Sequence, residues 1–106
     1  MRLFSDDHEH AVANVEVYGT EGNSSHWSPE LIGGAAAFEA AKLYEEKTAG
    51  NGKPDNLDVA KEIIAGIASA EVDKLFTVKG LDFINREKAK SFAKTEAAAA
   101  LTEDNY

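Results

Sequence analysis

Cysteine is absent from this 106-residue chain, which rules out disulfides, thiol nucleophiles and cysteine-ligated metals. Proline occurs only twice, and apolar residues make up 43% against 28% charged, a globular rather than a disordered composition. Positive charge is scarce: 11 basic residues face 19 acidic ones, a net charge of -8. Such a field repels phosphate backbones and anionic lipid surfaces, so neither nucleic acid nor a membrane is expected as a partner. Long apolar runs are missing too. The apolar stretch Leu31 to Phe38 is far short of the ~20 residues that cross a bilayer, and Met1 to Asp7 lacks the apolar run of a secretory signal. A soluble, cytoplasmic protein is the expectation.

What the chain has in excess is alanine, eighteen residues of it. Alanine is the best helix former, a poor strand former, and small enough to let helix backbones approach. The length supports one modest core, so the expected fold is all-α: one helical domain over residues 1–106, with three long helices, a short N-terminal one, and mobile ends at 1–7 and 103–106.

In chain order, Ala11, Val12, Val15 and Tyr18 have the spacing of an amphipathic helix from about Asp7 to Tyr18, capped by Asp6 or Asp7. Its β-branched and aromatic residues leave a strand or irregular segment as the competing reading. Gly19 to His26 reads as a loop. Ser28-Pro29-Glu30 is a helix start, with a cap, a proline at the first position and an acid at the positive dipole end. That helix is predicted to reach about Thr48 before Gly50 to Pro54 turn the chain. Asp55 or Asn56 caps the next helix, which runs to Lys79 and stops at Gly80. Asp82 or Asn85 caps a last helix from Arg86 to Leu101.

The segment 30–47 returns in degenerate form at 62–79. Glu30, Ile32, Gly34, Ala36, Glu39, Lys42, Leu43 and Lys47 each recur 32 residues further on. The pattern predicts an internal helix duplication. On a helical wheel Glu71 and Lys74 fall within an apolar face with Ile64, Ile67 and Leu75, with Ala60 and Val78 nearby, and Glu39 and Lys42 fall similarly on the first copy. Gly33, Ala36, Ala37 and Ala40 form a smooth side for close packing. A local pseudo-twofold axis with Glu39 and Glu71 beside it is one consequence.

Two facing carboxylates, Glu39 and Glu71, can hold a metal or share a proton. The third residue onward is a lysine in both copies, where a carboxylate-bridged metal site places histidine. Structural ion pairs are therefore expected, either Glu39–Lys42 and Glu71–Lys74 or the crossed Glu39–Lys74 and Glu71–Lys42, with no metal and no cofactor. His8-Glu9-His10, following Asp6 and Asp7, offers imidazole and carboxylate to a divalent ion, but His-x-His does not share a helix face, and surface histidines are expected. Trp27 is expected to staple the helix start against Leu31 or to cover the core edge. Gly33, Gly34 and Gly66 lack the strand and phosphate loop of a nucleotide site and read as close helix crossings. Serine and threonine have no His/Asp partner at a recognisable spacing, so no catalytic residue is expected.

Val17-Tyr18-Gly19, Glu30 to Ala40, Lys42-Leu-Tyr-Glu45, Asn51-Gly-Lys-Pro54, Ala65 to Leu75 and Lys79 to Lys90 together resemble the fungal CipC-like (concanamycin-induced protein C) antibiotic-response family. The resemblance covers roughly Val17 to Lys94. Asn85 stands where the family pattern has aspartate, with the capping role kept. The resemblance implies a small fungal protein of stress or antibiotic response, without enzymatic activity.

The function expected is thus non-enzymatic, through binding or self-association, with a homodimer built on the small-residue helix faces. A rival is a small apolar-ligand carrier with a pocket between the duplicated helices, lined by Trp27, Phe38, Tyr44 or Phe76. A metal-dependent enzyme using Glu39, Glu71 and the histidines is the third reading, and it needs a histidine brought beside the carboxylates.

Overall fold

Helices begin where short polar side chains can satisfy their first N–H groups. In the computed structural model, which describes residues 3–5 and 8–106, α1 spans Glu9–Gly19, α2 Pro29–Asn51, α3 Leu57–Lys79 and α4 Arg86–Ala99. No strand occurs among the described residues, so the fold is an all-α bundle, 40 × 25 × 20 Å in extent. The Ser28 hydroxyl accepts from Leu31 N–H at 3.1 Å, Asn56 Oδ1 from Val59 N–H at 2.9 Å and Asn85 Oδ1 from Lys88 N–H at 3.0 Å. Each cap is worth ~1 kcal/mol. The cap of α1 is His8, whose Nδ1 accepts from His10 N–H at 3.0 Å. The expected caps Asp6 and Asp7 lie outside the described residues. Gly80, in the left-handed conformation at φ 65°, ends α3 and returns its N–H to Phe76 O.

Two helix ends differ from expectation. Helix α2 continues to Asn51, and Gly52 N–H then closes on Thr48 O at 2.9 Å. Helix α4 stops at Ala99 because Leu101 turns into the core, 2% exposed, while the Asn105 amide donates to Ala100 O.

The centre of the bundle is α2. It packs against α1, α3 and α4, and α4 also packs against α3. From Ile32 to Ala41 every residue except Glu39 is buried, the all-round burial of a central helix. A Cβ on Gly33 would stand 2.8 Å from Phe92 Cδ2 and 2.9 Å from Ala89 O, and one on Gly34 would stand 2.7 Å from His10 Nδ1. The two glycines thus bring α4 and α1, respectively, onto α2. Gly66 is different: nothing lies within 4 Å of a Cβ there, so the counterpart of Gly34 makes no close crossing. The small-residue side with Ala36, Ala37 and Ala40 is buried inside the chain and is not available for the dimer interface expected on it.

The buried stripe of α3 is Ala60, Ile64, Ala68, Val72, Leu75 and Phe76. Lys74 and Val78 are exposed, contrary to the wheel reading, because contact with both α2 and α4 centres the stripe on the small residues Ala60 and Ala68. Fully burying the large members, Ile64 and Leu75 here and Ile32 on α2, stabilises the fold by roughly 1.5–3 kcal/mol each.

Leu3, Phe4 and the C-terminal turn lie over α2. Leu3 N–H donates to Glu45 Oε1 at 3.0 Å and Phe4 is buried against Phe38, their ring centroids 6.2 Å apart. Residues 103–106, expected to be mobile, form a turn in which Tyr44 Oη donates to the main-chain oxygen of Tyr106 at 2.6 Å. Lys53 Nζ sits 4.5 Å from the centroid of the Tyr106 ring.

Candidate functional site

Helix α1 turns three of its polar residues inward. Val12 and Val15, read from spacing as core positions, are 62% and 74% exposed, whereas His10 and Asn14 are buried. Ala11, Ala13 and Val17 supply the apolar part of the buried face. His10, Asn14 and Tyr18 follow one another at intervals of four, so they form one stripe along the helix. Each reaches a different helix. His10 Nε2 meets Glu96 Oε1 of α4 at 2.7 Å. Asn14 Nδ2 donates to Ala35 O at 3.0 Å and to Glu39 Oε1 at 3.2 Å, both on α2. Tyr18 Oη donates to Glu71 Oε1 of α3 at 2.7 Å.

This stripe supplies the partners of Glu39 and Glu71. Glu39 and Glu71 converge on Tyr18, whose hydroxyl pKa is raised well above the usual phenol range. Burial is the largest cause, followed by the hydrogen bond to Glu71 and the charges of Glu71 and Glu39. The phenol is held neutral as a donor, and each carboxylate is an acceptor for α1. Glu39 also pairs with Lys42 Nζ at 3.8 Å, the expected i,i+3 arrangement. Glu71 pairs with Tyr18 instead of a cation. Lys74 makes no ion pair among the described residues, and neither crossed pair forms.

The histidines go elsewhere. His10 lies in an aromatic setting, with Phe4 and Phe92 edge-on at 5.3 and 5.9 Å, rather than on the surface. It meets Glu96 and not the Glu39/Glu71 pair, and the described residues contain no group of three or more His, Asp or Glu side chains arranged to hold a metal ion.

The four aromatics do not gather around one pocket. Trp27 is buried and donates from Nε1 to Glu16 Oε2 at 3.2 Å, tying the α1–α2 loop to α1. Phe38 packs on Phe4, and Phe76 lies under the Arg86 guanidinium at 4.9 Å. Tyr44 lines an open concavity of about 430 Å³ with Tyr106 and Lys53 at the end of α2. Burial, then the neighbouring Tyr106, raises the Tyr44 pKa.

The stripe was legible only as polar residues at helical spacing, and its partners lie 21 to 86 positions away in the chain. A family model described as "Virulence factor CipC-like" matches residues 13–104. The chain belongs to the CipC-like family. The match takes in Asn14 and Tyr18 with their acceptors Glu39 and Glu71, while His10 stands just outside it. No curated protein and no solved structure matches this CipC-like chain. No helix among the described residues is long and apolar enough to cross a membrane.

Proposed function

We propose that this protein acts without catalysis, by binding a partner, in a fungal stress or antibiotic response inside the cell. The observation that supports binding is the inversion of α1. Three polar side chains, His10 and Asn14 buried and Tyr18 half-buried, hold the helix by its inner face and leave Val12 and Val15 outside. At an exposed helix position valine is disfavoured relative to alanine by roughly 0.5 kcal/mol, and this chain uses alanine freely. The two valines thus turn most of their apolar surface to solvent, which an outer partner would cover. The polar cluster serves that surface: Tyr18, Glu71, Asn14 and Glu39 satisfy one another and set the rotation of the helix.

The test is photo-cross-linking in cells. A benzoylphenylalanine at position 15 is expected to give a discrete adduct that increases under antibiotic stress, while the same group at Glu62, exposed on α3, gives none. Absence of an adduct at position 15 under both conditions overturns the reading.

A further inference from the structure

We infer that the outward face of α1 is a docking surface for a basic amphipathic helix. The inference rests on the binding reading and adds the chemistry of the partner. Val12 and Val15 stand one turn apart, and Gly19 continues their line, with nothing within 4 Å of where its Cβ would be. Together with Ala11, Glu16 and Thr20 they border a shallow concavity of about 490 Å³. Its open shape suits aliphatic side chains spaced three and four apart on a partner helix.

Charge selects the partner. Glu9 and Glu16 are exposed along one edge of the valine line, seven positions apart, or roughly 10 Å along the axis. Helix α1 carries no lysine or arginine, and Glu21 adds a further acid just beyond it. Trp27 holds the Glu16 carboxylate in place without neutralising it. The edge therefore offers two negative charges, that of Glu16 held in place, matched by lysines or arginines two turns apart on the incoming helix. The net charge of -8 draws such a segment from a distance. A second copy of this chain would bring the same acidic edge and the same net charge, so self-pairing through this face is opposed.

A fluorescein-labelled synthetic peptide of leucine and lysine in helical pattern is the probe, titrated with the full chain and followed by anisotropy. Saturable one-to-one binding is expected. Val12→Ala with Val15→Ala keeps the helix and should weaken binding about tenfold, through lost apolar contact. Glu9→Gln with Glu16→Gln should weaken it about fivefold and flatten its salt dependence. Glu46→Gln with Glu62→Gln removes the same charge from other faces and should leave binding unchanged. Equal loss from both glutamate pairs means general attraction to an acidic protein and overturns the proposal. So does a valine-dependent dimer in sedimentation of the chain alone. An adduct at position 15 in cells without peptide binding would retain the binding function and reject the basic helix as its partner.

Discussion

Tyr18 and Glu71 are 53 positions apart and meet at 2.7 Å, phenol to carboxylate, although the helices that carry them nowhere bring their Cα atoms within 8 Å. One long side chain bridges that gap. Removing its hydroxyl in Tyr18→Phe leaves the ring in place and Glu71 without its donor. A loss of about 1–2 kcal/mol is expected, read as a lower urea midpoint with unchanged slope.

The same phenol gives the fold an alkaline limit. Its pKa is raised in the folded chain above the ordinary 10.0, so the folded state keeps the proton where the unfolded state loses it. The contribution is full below pH 10 and declines as pH rises past 10, by up to about 1.4 kcal/mol per pH unit. Urea midpoints from pH 8 to 11 should fall more steeply for the natural chain than for Tyr18→Phe. Parallel slopes would show that Tyr18 titrates alike in both states.

Glycine substitutions on α2 and α3 should have opposite signs. Gly33→Ala places a methyl against the Ala89 carbonyl and Phe92, and main chain cannot yield as a side-chain tip can. Thermal unfolding should show a loss of about 1–3 kcal/mol. Gly66→Ala meets nothing and gains helix propensity, so a rise of about 0.5–1 kcal/mol is expected.

Val12→Ala and Val15→Ala should each raise stability by roughly 0.5 kcal/mol in chemical unfolding, the propensity difference alone. A loss above ~1 kcal/mol in either would mean that the valines support the single chain, and the argument for an outer partner would fail.

Signals confined to a few residues could be read directly from the sequence. Ser28-Pro29, Asn56, Asn85 and Gly80 mark helix ends through bonds spanning three or four positions, and all four act where expected. The partners of Glu39 and Glu71 were half legible: Glu39 has the expected Lys42 beside it, but Glu71 takes Tyr18 and not a lysine. The orientation of α1 was not legible. Apolar spacing counts Ala11, Val12, Val15 and Tyr18 as one face, and only the distant partners of His10, Asn14 and Tyr18 show that the helix is rotated so that Ala11 and Tyr18 stay inside while Val12 and Val15 turn out. The same limit applies to Gly34 and Gly66, 32 positions apart within similar segments, of which only the first has a histidine against it.

Helix α1 approaches the other helices' main chain only along α2, and its ties to α3 and α4 are made by side chains alone, Tyr18 to Glu71 and His10 to Glu96 and Phe92. It is therefore the element that can open at the lowest free energy while α2, α3 and α4 stay assembled around their alanine and isoleucine interior. Its amide protons should exchange with solvent ahead of those in the other three helices. A partner seated on its outer face would slow that exchange without changing the rest, so the occupancy of the valine surface can be timed by the protons beneath it.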